Sequence, residues 1–171
     1  MKKYFILIMI ILFVAGCNEK KARTKSDFNE LVSEFETKKK VDSMVKNSIR
    51  DAVLKDTANF EASPVKILAA RPVKQEYSNY KDVSITYKNV SGKVISAIRF
   101  KWYGVNAFNE AADMGILDGV GSGFTDDRLG IGKSRTSEWS ILSKDLKKIV
   151  KAWAYEVAFV DGTKWEGASS Y

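Results

Sequence analysis

No histidine, two prolines and one cysteine stand among the 171 residues, and each shortage excludes something. Without imidazole there is no Ser-His or Cys-His nucleophilic pair, and the commonest zinc ligand is missing. A lone Cys closes no disulfide within the chain. No Pro or Gly occurs between Asn18 and Ser63, so helix is the only regular structure that stretch supports. Long apolar runs are also scarce. The longest, Tyr4 to Val14, has about eleven residues, against the roughly 20 that a transmembrane helix needs.

That run is what the N-terminus does have. Met1-Lys2-Lys3 places positive charge ahead of it, and Val14-Ala15-Gly16-Cys17 closes it. Small residues directly before a Cys resemble the lipobox, where a bacterial thiol receives a diacylglyceryl group before the signal peptide is cut away. The pattern predicts residues 1–16 as signal peptide and Cys17 as the lipidated mature N-terminus. It also predicts a cell-envelope location, with a membrane as partner through the lipid and the protein facing the periplasm or exterior. Removing residues 1–16 leaves 155, with 26 Lys and Arg against 21 Asp and Glu, a net charge of +5. Much of the surplus sits near the anchor, in Lys20, Lys21, Arg23, Lys25 and Lys38-Lys39-Lys40, where it fits either a solvated linker or contact with anionic lipid. No nucleic-acid partner is expected of an exported chain without a recognised binding motif.

Residues 17–25 read as a flexible tether. Beyond Ser26, a candidate helix cap, Phe28, Leu31, Val32 and Phe35 fall at i, i+3, i+4 and i+7. Val41, Met44, Val45, Ile49, Ala52 and Val53 resume helical spacing after the lysines. The pattern fits one long helix with a drifting stripe or two helices broken near Thr37 to Lys40, and residues 26–61 are expected to form a helical spacer.

From about residue 62 the period changes from 3.6 to 2. Pro64 and Pro72 bracket a candidate edge strand, Val65 to Arg71. Val83, Ile85 and Tyr87 alternate with polar residues, as do Ile98, Phe100 and Trp102, then Trp139 and Ile141. Trp153, Tyr155, Val157 and Phe159 are expected to share the buried face of one central strand, followed by a turn at Asp161-Gly162. Five or six strands without helical crossovers predict a mainly β domain over 62–171, an antiparallel β-sandwich. The segment 104–133 reads as a long loop made pliable by Gly115, Gly119, Gly121 and Gly123.

The run Val83-Ser84-Ile85-Thr86-Tyr87-Lys88-Asn89-Val90-Ser91-Gly92-Lys93 pairs a strand with a turn. Ile98-Arg99-Phe100-Lys101-Trp102-Tyr103 follows as an aromatic-rich strand, and Leu129-Gly130-Ile131-Gly132-Lys133-Ser134 as a second turn before Trp139-Ser140-Ile141. This order resembles the FxLYD domains of bacterial surface proteins, especially lipoproteins of the Bacteroidetes type, over about half the chain. The resemblance implies an immunoglobulin-like sandwich outside the cytoplasm and carries over no catalytic residue. The insertion after Gly104 departs from the pattern.

Candidate sites are sparse. Asp113, Asp118, Asp126 and Asp127, with Glu110 nearby, are the one carboxylate cluster, able to supply oxygen ligands to calcium but lacking the EF-hand order. Gly119-Val120-Gly121-Ser122-Gly123 and Gly132-Lys133-Ser134 lack the strand-to-helix setting of nucleotide loops. Ser43 and Thr57 fit a short Asp, Ser/Thr, apolar pattern for O-glycosylation that the family resemblance makes relevant. With no cofactor and no enzymatic chemistry expected, the predicted function is a binding or structural sandwich contacting an envelope protein or glycan. The alternative is a small molecule or calcium ion held by the loop 104–133.

Overall fold

The computed structural model describes residues 25–55, 62–115 and 118–167. One helix, α1 (Lys25–Lys55), precedes seven strands: β1 (Val65–Lys74), β2 (Lys81–Asn89), β3 (Ile95–Val105), β4 (Val120–Thr125), β5 (Ser134–Ile141), β6 (Lys148–Phe159) and β7 (Lys164–Glu166). The helix runs unbroken through Lys38-Lys39-Lys40, because lysine is a good helix former and interrupts the apolar stripe without disturbing the backbone. Asp27 in its first turn and Lys55 in its last complement the helix dipole.

All strand pairs are antiparallel. β1-β2-β5 make one sheet and β4-β3-β6-β7 the other, giving the expected β-sandwich. β1 continues three residues past the expected stop at Arg71. Pro72 is accommodated inside it because β1 is an edge strand, where a missing N–H removes no ladder bond.

Between the sheets, Val83, Ile85 and Tyr87 of β2 face Ile98, Phe100 and Trp102 of β3, all but completely buried, as the alternation predicted. β6 departs from expectation. Arg99 pairs with Glu156 but Phe100 pairs with Ala154, so Tyr155 is an extra residue in a β-bulge and the inside-outside order reverses there. Val157 and Phe159 enter the core between the sheets together with Ala154, whereas Trp153 and Tyr155 pack with a second cluster containing Tyr103, Val105 and Val53.

The segment 104–133 is also more ordered than its glycines suggested. Asn106 turns the chain by accepting the Phe108 and Glu110 amides at its Oδ1, 2.9 and 3.1 Å away, and Ala112 is fully buried. β4 follows. A Cβ on Gly121 would collide with the indole of Trp102, and one on Gly123 would lie 2.6 Å from Trp139 Cε2. These glycines therefore let two tryptophans lie against the strand backbone. Leu129 then closes the segment, exchanging two 3.0 Å backbone bonds with Ile95.

The turn after β2 is organised by buried Asn89. Its amide donates to the Lys93 and Leu129 carbonyls, at 2.8 and 3.1 Å, and its Oδ1 accepts the Ser91 amide and hydroxyl. Every polar atom of this buried side chain is thereby used, which a buried amide requires.

The chain divides into two compact units between Val41 and Asp42, inside α1, whereas the sequence placed the boundary at residues 61 and 62. The last turns of the helix belong with the sheets because Val53 is 1% exposed against Tyr103, Val105 and Trp153, and Lys151 Nζ donates to the Val53 carbonyl at 2.5 Å. Burying a Val side chain contributes about 2 kcal/mol. Val53→Ala is expected to lower the urea unfolding free energy by about that amount, while the neighbouring Leu54→Ala changes it by no more than about 0.5 kcal/mol. Equal effects of the two substitutions would show that the helix end contributes nothing to the sandwich.

Candidate functional site

The core-facing residues of β3 and β6 leave their neighbours on the opposite face of the four-stranded sheet. β3 contributes Arg99, Lys101 and Tyr103 there, β4 contributes Val120, Ser122 and Phe124, and β6 contributes Trp153 and Tyr155 through the bulge. Aromatic and cationic side chains interleave on this face. Lys101 Nζ sits 5.0 Å from the Tyr155 ring centroid and Lys151 Nζ sits 5.6 Å from that of Trp153. Such contacts are worth about 0.5–1 kcal/mol at partly exposed sites. Burial pushes the Lys101 ammonium below its ordinary pKa and the Tyr103 phenol above its own, the latter further modulated by Arg50 and Asp118.

One end of the face is covered by α1. Ile49 and Val53 lie on Tyr103, Val105 and Trp153, and Lys46 pairs with Asp118 at 2.5 Å, a bond that raises the Lys46 pKa. At the other end a groove of about 550 Å³ remains open, lined by Arg99, Ser122, Gly123, Phe124, Trp139 and Tyr155. Trp139 reaches it from the other sheet. Its ring stacks tilted on Phe100 and Trp102, at 5.4 and 5.6 Å between centroids, while its Nε1 donates to the Phe124 carbonyl at 3.0 Å. The floor of the groove is thus tied to the core. Phe124 forms its exposed wall, with 54% of its surface open to solvent. Arg99 is held by Glu156 at 3.2 Å, and Glu156 also faces Lys164 at 3.8 Å.

A second concavity of about 410 Å³ lies where β1 approaches β6, between Val65, Ile67, Val90 and Trp153, with Lys66 and Lys151 beside it. It is mainly apolar and presents no cluster of carboxylates.

The carboxylates proposed for calcium are not brought together. Asp118 is engaged by Lys46 and Asp127 by Arg135 at 2.7 Å, whose guanidinium holds the Asp127 carboxyl below the usual range. Asp113 accepts the Gly115 amide at 3.2 Å, and its own amide donates to Asp145; Asp126 is exposed beside Asp127. Among the described residues no three Asp, Glu, Cys or His side chains converge as metal ligands. Lys46 on α1 and Arg135 on β5 thus engage two of the four acids from different elements. Ser43 lies on the exposed part of α1, and Thr57 and Cys17 lie outside the described residues. The groove itself escaped the sequence reading, because Arg99, Phe124, Trp139 and Tyr155 come from four strands. The one available signal was a Gly at every second position before Phe124, which marks close approach to a large ring.

Residues 1–18 match the model of the prokaryotic membrane lipoprotein lipid attachment site, and Cys17 falls within the match. The chain is lipid-anchored in the cell envelope. Among the described residues no helix is long and apolar enough to cross a membrane. No curated protein matches the sequence. Among solved structures, a hypothetical protein of Peptoclostridium difficile 630 is 10% identical with a TM-score of 0.44, covering 61% of this chain and 86% of its own. The trimeric lipoprotein SadB of Salmonella enterica is 18% identical with a TM-score of 0.35, covering 93% of this chain and 98% of its own. Neither likeness is close enough to bear on fold or assembly.

Because the sulfur of Cys17 receives the diacylglyceryl group as a thioether, Cys17→Ser is expected to leave an unprocessed, unlipidated precursor. Metabolic labelling with a fatty acid, followed by mass measurement of the N-terminus, checks this; normal labelling and cleavage of the variant would place the attachment site elsewhere.

Proposed function

We propose that this lipoprotein is a non-enzymatic binding protein whose sandwich holds an envelope glycan in the groove of Arg99, Phe124, Trp139 and Tyr155. The observation that carries the reading is three aromatic side chains lining one open groove beside a guanidinium. Sugar rings present apolar C–H faces that pack on aromatic rings, and an Arg fork pairs with the carboxylates of acidic sugars. The net charge of +5 after signal removal favours an acidic polymer. Support for the absence of catalysis comes from composition: no His is present and the lone Cys is the lipid carrier. The FxLYD-like, immunoglobulin-like reading of the Bacteroidetes type draws support from the seven antiparallel strands and from the buried Asn89 in the turn whose residues suggested it. Such folds host many functions, so the binding role rests on the groove and not on the fold.

Co-sedimentation of the lipid-free mature chain with isolated peptidoglycan sacculi tests the reading. Phe124→Ala and Arg99→Ala are each expected to weaken binding about tenfold, the loss of roughly 1.4 kcal/mol, without altering the urea midpoint appreciably. Absence of wild-type binding, or equal binding by both variants, would refute it.

A further inference from the structure

We infer that the N-terminal half of α1, from Lys25 to Val41, assembles with the same segment of other copies of this chain as a parallel coiled coil. Among the described residues nothing covers the apolar stripe of this segment. Phe28, Leu31, Val32 and Phe35 are 63, 47, 40 and 70% exposed. A helical segment of this length, with one face of large apolar side chains in water, is marginal alone and gains its stability from packing.

The spacing fits copies of itself. With Phe28 at position a of a heptad, Leu31 takes d and Phe35 the next a. Glu34 then occupies g and Lys39 the following e, the two positions that meet between parallel chains in register, and their charges are opposite. Lys38 takes the d position that follows Phe35 and Asp42 the a after it, so the apolar seam runs from Phe28 to Phe35 and ends at the lysines. The lipid anchor adds a geometric constraint. Every copy is held at its N-terminal side, eight positions before Lys25, so neighbours meet side by side, pointing the same way, at high effective concentration.

A membrane surface is the competing cover for such a stripe, and charge argues against it. Across residues 25–41 the carboxylates of Asp27, Glu30, Glu34 and Glu36 are balanced by Lys25, Lys38, Lys39 and Lys40, leaving no net charge, whereas helices that lie on anionic lipid are strongly basic on their polar face. The inference does not depend on the groove or its glycan.

The test uses the full lipidated protein in membranes of expressing cells. Leu31→Cys, in the seam, is expected to form an intermolecular disulfide with mild oxidant in most of the population, and Ser33→Cys, on the outer face, at least fivefold less. In detergent, the wild-type protein is expected to sediment as more than one copy and Phe35→Glu as a single copy. Glu34→Lys should weaken the assembly, and adding Lys39→Glu should restore it. Equal cross-linking at positions 31 and 33, a monomeric wild type, or absence of charge-swap rescue would overturn the proposal. So would a Leu31→Cys thiol that fails to cross-link yet is shielded from a water-soluble maleimide, a result that would assign the stripe to lipid.

Discussion

Two indole rings pressed against a strand that has no side chains in their way hold the sandwich in its present form. Trp102 and Trp139 come from different sheets, contact each other at 5.6 Å, and occupy the space above Gly121 and Gly123. The contact sets the position of β4, and through the Trp139 Nε1 bond to Phe124 it also sets the wall of the open groove. It has a cost. The Trp102 Nε1 is buried without a hydrogen-bond partner among the described residues, a loss of about 1–3 kcal/mol that the surrounding apolar burial must offset. Tyr87, stacked on Phe100 at 4.8 Å, extends the aromatic layer toward β5, where its hydroxyl meets Ser137.

The outer face of the four-stranded sheet follows from the same arrangement. Once β3 turns Trp102 inward, Tyr103 must point outward, and a large apolar ring there needs cover. The bulge at Tyr155 places Trp153 beside it, and Val53 of α1 completes the cluster. The helix thus has two different tasks along one element. Its last turns are a packing surface, while its first turns carry an exposed apolar stripe.

Much of this architecture was legible in the residues. Alternation in β2 and β3 identified the core because the runs Val83 to Tyr87 and Ile98 to Trp102 carry no extra residue of their own, and the Asn89 to Lys93 turn was marked by its Asn, Ser and Gly. Trp153 and Tyr155 were misassigned because a one-residue bulge reverses a period-2 pattern without leaving a trace in composition. β4 looks like loop in the sequence for a related reason. Glycine ordinarily signals flexibility, and only the partner ring, nineteen residues away in sequence for Trp102 and sixteen for Trp139, reveals that it signals contact. The groove was illegible because its lining is assembled across both sheets, and two of the acidic residues that looked like a cluster, Asp118 and Asp127, are instead paired with Lys46 and Arg135. The lipid attachment site, by contrast, is a contiguous motif, and a contiguous motif needs no fold to be recognised.

The central claim is that ring and glycine are coupled through space, and a double-mutant cycle of Gly123→Ala with Trp139→Val measures it most directly. In the wild-type background Gly123→Ala is expected to cost about 1–3 kcal/mol in urea unfolding, as overpacking does. With Val at position 139 the same substitution should cost close to nothing, giving a coupling energy of at least about 1 kcal/mol. Additive losses would contradict the account, since they would mean that Trp139 does not occupy the space that Gly123 leaves open.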